Sequence, residues 1–162
     1  MLIKKAVINT SPLIVLFKSN LIDILPKICE EIIIPNTVWQ EIVESDKNDL
    51  PSQQLPKITW GKRTQLASIS PIITAWGLDA GETEVLSFAY ENKGYKVIID
   101  DLAGRRVART LNIPLIGTAG LLLLAKQNGF LDSITLAIQS LQNSGLWLAD
   151  DLIQYLIKEA GE

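Results

Sequence analysis

The chain contains no histidine and a single cysteine, Cys29, among its 162 residues. Without an imidazole, Ser-His and Cys-His nucleophilic catalysis are excluded, and so are histidine-dependent zinc sites. One cysteine cannot close an internal disulfide, and with no metal-ligating neighbour it is expected to be buried rather than reactive. Long hydrophobic runs are missing too: stretches such as residues 121–125 are far too short to span a bilayer. The first residues lack the apolar stretch and small-residue cleavage site of a secretory signal, so they read as a strand and a cytoplasmic location is expected. Positive charge is scarce as well, with a net charge of -3 that argues against binding nucleic acid by bulk electrostatics. What these absences leave open is metal chemistry on oxygen ligands.

Hydrophobic residues make up 48% and charged residues 20% of the chain, a globular balance in a length suited to one domain over residues 1–162. Strand-like and helix-like segments alternate throughout, which predicts an α/β fold with a mainly parallel sheet. Strands are expected at residues 3–9, 31–34, 96–99 and 114–116. Helices are expected at 13–19, with Thr10-Ser11-Pro12 as its cap and first turn, then at 21–28, after Pro35-Asn36, at 82–92, 102–111, 121–127, 133–142 and 149–160. Residues 46–76 are the least legible, because Pro51, Pro56 and Pro71 interrupt any long helix; a loop-rich excursion with a short helix or edge strand around 60–69 is expected.

Acids recur at the places where a parallel sheet would present them. The run Val97-Ile98-Ile99 ends in Asp100-Asp101, aiming two carboxylates at the carboxyl edge, where open α/β sheets bind ligands. One Asp suffices to cap the following helix, which leaves the other without a structural task. On the helix over 82–92, Glu82 shares a face with Val85, Leu86 and Ala89, whereas Glu84, Ser87 and Glu91 lie opposite. A carboxylate on an apolar stripe has to be paired, hydrated or metal-bound, although a first-turn Glu also complements the helix dipole. Asp79 reads as the cap of that helix, and Glu41 flanks the stripe formed by Val38, Trp39, Ile42 and Val43. Arg105, Arg106 and Arg109 fall close together on the helix after Asp101, as a basic patch or as a solvated face. Gly117-Thr118-Ala119-Gly120 lacks a Walker lysine and reads first as a turn, with the Thr118 hydroxyl a secondary candidate.

Taken in order, Asn9-Thr10-Ser11-Pro12-Leu13-Ile14, Ile34-Pro35 with Val38 and Glu41-Ile42, residues 78–84, Asp100-Asp101 with Arg105-Arg106-Val107-Ala108, and residues 117–120 resemble the PIN-domain family over nearly the whole chain. More narrowly they resemble a prokaryotic branch similar to VapC-type toxins. The resemblance implies a three-layer α/β/α domain that binds Mg²⁺ or Mn²⁺ and cleaves RNA. It places the family's acidic set on Asn9, Glu41, Glu82 and Asp101, with Asp100 as the alternative to Asp101 and Thr10 or Ser11 as hydroxyl helpers. Arg105 and Arg106 would steer the phosphate backbone. It also implies candidate partners, an antitoxin protein or a second copy in a homodimer, and no membrane.

One departure stands out: Asn9 offers a neutral amide oxygen where the family pattern has Asp. Hard dications prefer anionic oxygen, so the expectation is weakened metal binding. The competing expectation is a catalytically inactive PIN-like module that binds RNA or a protein. A phospho-acceptor domain fits less well, since its acidic pair should follow the first strand, where Asn9 stands. Exposure of Trp39, Trp60 or Trp147 would mark an interface, with core burial the default.

Overall fold

In the computed structural model, which describes residues 2–44 and 48–162, five strands form one sheet in the order β3-β2-β1-β4-β5. They are β1 (Ile3–Ile8), β2 (Cys29–Pro35), β3 (Gly61–Thr64), β4 (Lys96–Ile98) and β5 (Leu115–Ile116). Every pairing is parallel, with Ala6 opposite both Ile32 and Lys96 and Ile98 opposite Ile116. The central strand reads as continuous apolar sequence because both its faces are covered: Ala6, Val7 and Ile8 are fully buried. A side chain the size of Val7 or Ile8 contributes roughly 1.5–3 kcal/mol relative to exposure, so this core needs no disulfide.

The helices are α1 (Thr10–Lys18), α2 (Ile24–Ile28), α3 (Asn36–Val43), α4 (Leu50–Gln54), α5 (Pro71–Thr74), α6 (Ala80–Glu91), α7 (Leu102–Thr110), α8 (Thr118–Gln127), α9 (Ile134–Asn143) and α10 (Asp150–Glu159). Helix α6 packs on β1, β2 and β4 with α3 and α7 beside it, while α8 packs with α2, α9 and α10. The result is the expected three-layer α/β/α arrangement around a parallel sheet.

Several boundaries differ from the sequence expectation. Helix α1 begins at Thr10 rather than 13; Asn9 is its N-cap, and its side chain makes no capping bond. Pro12 is tolerated there because first-turn amides have no intrahelical partner to lose. The expected helix at 21–28 shrinks to α2, since residues 21–23 form a turn. Strand β2 extends to Cys29 and Pro35, and α8 begins at Thr118 rather than 121. In the excursion, whose expected start at Asp46 lies outside the described residues, β3 is a parallel edge strand, with short helices before and after it.

The largest correction concerns α6. Glu84 and Ser87, assigned to an outward face, are buried. Glu84 accepts from the Thr37 hydroxyl at the start of α3, and the Ser87 hydroxyl accepts from Ser70 N at 3.2 Å. The helix is covered on more than one side, and each of these two polar groups has a partner there.

Candidate functional site

Because the strands are parallel, their carboxyl ends share one edge. The strand order reverses direction between β1 and β4, the position where a crevice opens in such sheets. Asn9 follows β1 there, its N–H donating to Ile98 O at 3.0 Å, and Ile99 N in turn donates to Ile116 O at 3.1 Å. The chain thus delivers Asn9 and Asp100-Asp101 side by side, and Asn9 is only 5% exposed.

The two adjacent acids have different tasks. Asp101 caps α7, its Oδ2 accepting from Ala103 N at 3.0 Å and Gly104 N at 3.2 Å. Asp100 reaches across to the next helix, its Oδ1 accepting from Thr118 N at 2.8 Å and its Oδ2 from Thr118 Oγ1 at 2.6 Å. The N-terminus of α8 is therefore occupied by Asp100, which explains why residues 117–120 serve as a turn rather than a phosphate cradle. Both Asp100 oxygens are engaged, and the fully buried Thr118 hydroxyl is spent on holding them.

Glu82 stands in the first turn of α6, beside Asp101. Asp79 caps this helix, its Oδ1 accepting from Glu82 N at 2.8 Å. The Glu82 carboxyl is pushed up to about 7, first by burial and then by the nearby charges of Asp79 and Asp101, with Asp101 within hydrogen-bonding reach. Gly104 stands beside the pair and gives room to Ile99: a Cβ there would meet Ile99 Cδ1 at 2.4 Å, while Glu82 Oε1, at 3.6 Å, would be in ordinary contact. Glu41, on α3, accepts from the Thr10 hydroxyl and rests over Gly81, the residue next to Glu82. Ser11 faces a separate part of the crevice, in a cavity that Asp100 and Asp101 also line.

Of the three arginines, Arg105 is held at this edge. Its Nη1 donates to Ile99 O at 3.0 Å, and a side chain on Gly117 would collide with it. Its pKa is lowered, chiefly by burial and then by Arg109, against the pull of Asp100. Arg106 is exposed.

A family model described as PIN domain matches residues 5–162. The chain belongs to the PIN-domain family. Its fold is accordingly of the nuclease type; no curated protein matches the sequence. No helix among the described residues is long and apolar enough to cross a membrane.

Divalent-metal use, common in this family, can be tested against the side chains present. Among the described residues no three acidic, cysteine or histidine side chains form a group able to hold a metal ion. What this PIN domain does offer is the Glu82–Asp101 pair, two oxygen donors within hydrogen-bonding reach of each other. Mg²⁺ is ordinarily held by one or two carboxylates, with water and substrate phosphate completing its shell. The pair fits that mode and no richer one.

Sequence reasoning missed one feature of the site and left a second open. The buried Glu84–Thr37 bond joins α6 to α3, and a one-face helix pattern gives no signal of it. Trp147 lies in the connection between α9 and α10 beside the same acids, 81% exposed; the sequence left its exposure undecided.

Proposed function

We propose that the protein is a metal-dependent ribonuclease that hydrolyses phosphodiester bonds at the carboxyl edge between β1 and β4. The observation that carries this is Glu82, a buried carboxyl beside Asp79 and Asp101 that burial first and these charges second push up to about 7, at the topological switch point of a PIN domain. Clustered like charges with raised pKa values are a mark of functional sites.

Glu82 and Asp101 would hold Mg²⁺ or Mn²⁺, with the Asn9 amide oxygen as a neutral third donor. When bound, the dication supplies a water of lowered pKa and charge neutralisation at the leaving oxygen. Glu41, bonded to Thr10 and lying over Gly81, would accept a proton from the attacking water. Asp100, both of whose oxygens are bonded to Thr118, orients the loop rather than ligating. Arg105 and Arg106 supply the positive charge that meets an incoming phosphate, which lets an acidic protein receive a polyanion.

A second function, a catalytically inactive module that binds RNA or a protein, is favoured by Asn9 and by the lack of a three-acid group among the described residues. If the protein is instead a VapC-like toxin, an antitoxin chain would cover the Arg105–Arg106 rim, and that partner should co-purify when the neighbouring genes are expressed together.

Purified wild type, Asn9→Asp and Asp101→Asn incubated with mixed-sequence fluorescent RNAs in Mg²⁺, Mn²⁺ or chelator separate these functions. Cleavage by wild type that chelator and Asp101→Asn both abolish supports the ribonuclease. Cleavage by Asn9→Asp alone identifies a nuclease scaffold silenced at one side chain. Silence from both, with RNA still bound, favours the binding module.

A further inference from the structure

Two of the candidate acids, Asp100 and Asp101, share a cavity of about 420 Å³ with an aromatic residue from the far end of the chain. Asp100, Asp101 and Ser11 form its polar side, and Ile14, Leu146 and Trp147 its apolar side. Gly145, with φ at 105°, turns the chain after α9, and Leu146 N bonds back to Leu141 O at 3.1 Å, so the residue next in sequence is delivered from a tethered turn. Trp39 and Trp60 pack against the core, whereas Trp147 leaves 81% of its surface in water.

A lone exposed apolar side chain is ordinary. An indole lining the same cavity as Asp100 and Asp101, with a guanidinium anchored next to Asp100, is a different matter. Unpaired bases stack on such plates whatever their identity, because every base has a π-face. A basic group nearby takes the phosphate that follows. The volume is within the range of small-ligand pockets, and a duplex keeps its bases stacked on one another and out of reach.

We infer that Trp147 is a stacking platform for an unpaired base flanking the phosphate to be cut. This rests on the ribonuclease proposal for the chemistry but not for the binding. Sequence tolerance follows: the platform would hold purines and pyrimidines alike, and selectivity for single strands over duplex would originate here.

The test measures binding without cleavage. Wild type, Trp147→Phe and Trp147→Ala are titrated in chelator against fluorescein-labelled single-stranded RNA and its duplex, with anisotropy as the readout and light scattering to follow oligomeric state. Since the indole is mostly in water, Trp147→Ala should fold normally. The expected result is binding about ten-fold weaker for Trp147→Ala, largely restored by Trp147→Phe, with duplex affinity unchanged. Equal affinity of wild type and Trp147→Ala for the single strand overturns the platform, as does failure of wild type to bind it. A change of oligomeric state in Trp147→Ala also overturns it, assigning the indole to a protein contact. Trp147-dependent binding without metal-dependent cleavage removes the ribonuclease proposal alone, and cleavage with Trp147-independent binding removes the platform alone.

Discussion

Gly81 lies so close beneath the Glu41 carboxylate that a Cβ on it would stand 2.8 Å from Oε1 and 3.1 Å from Oε2. Helices α3 and α6 approach here through a glycine, and the acid resting over it is also bonded to Thr10. A methyl group at position 81 meets only the end of a flexible side chain, so the fold can yield by moving Glu41. Gly81→Ala should therefore leave the melting temperature within a few degrees of wild type while lowering the cleavage rate at least about ten-fold, a rate ratio equivalent to ~1.4 kcal/mol. A variant that melts normally and cleaves at the wild-type rate would show that Glu41 has no part in the chemistry.

Glu84 is expected to act on stability first. Its carboxylate accepts from the Thr37 hydroxyl in a buried setting, and a buried polar group deprived of its partner costs about 1–3 kcal/mol. Thr37→Val should lower the urea midpoint accordingly. Glu84→Gln, which keeps a carbonyl oxygen for Thr37, should lose less. If Glu84→Gln instead retains full stability and loses all cleavage, Glu84 belongs among the catalytic acids.

The raised Glu82 carboxyl sets a pH dependence of defined sign. With a folded value of about 7 against 4.5 unfolded, the folded state binds the extra proton between these limits. The favourable contribution of the protonated form is complete below the unfolded value and is lost as pH rises through about 7. In chelator, Glu82→Gln should melt higher than wild type at pH 8, and the gap should close near pH 5. Mg²⁺ should raise the melting temperature of wild type more than that of the variant. A pH-independent gap would contradict the crowding of these acids.

Cys29 is 3% exposed, and burial pushes its thiol up to about 12 against the opposing charge of Lys96. The thiolate is the reactive form, so an aromatic disulfide reagent at pH 8 should find no thiol in the folded protein and one equivalent in guanidinium. Rapid labelling of the native protein would mean that β2 opens at its first residue.

The α/β class, the strand that ends in Asp100-Asp101 and the apolar stripe holding Glu82 were legible because each depends on local periodicity. Burial of Glu84 was not. A single-face pattern assumes one covered side, whereas α6 is enclosed by the sheet, α3 and α7, and its extra buried positions are polar groups satisfied by residues distant in sequence. Strand β3 falls where a short helix or an edge strand was expected, and the choice stayed open for the opposite reason: at a sheet edge none of its four residues is buried, so no alternation is imposed. The division of labour between Asp100 and Asp101 depends on Thr118, a tertiary neighbour that spacing does not reveal. Trp147 escaped because exposure of one aromatic depends on the turn that carries it.

The strand order has a consequence for synthesis on the ribosome. Ala6 pairs with Ile32 on one side and with Lys96 on the other, so the middle of the sheet waits for a neighbour made much later. Asn9 is translated early, whereas Asp101 follows 92 residues afterwards (101 minus 9), a delay of roughly 5–20 s at ordinary elongation rates. Throughout that interval the nascent chain carries Asn9, and in time Glu41 and Glu82, without the strand that completes the crevice. The edge is assembled only when that late strand inserts beside β1, so the site comes into being as one of the last events of folding during synthesis.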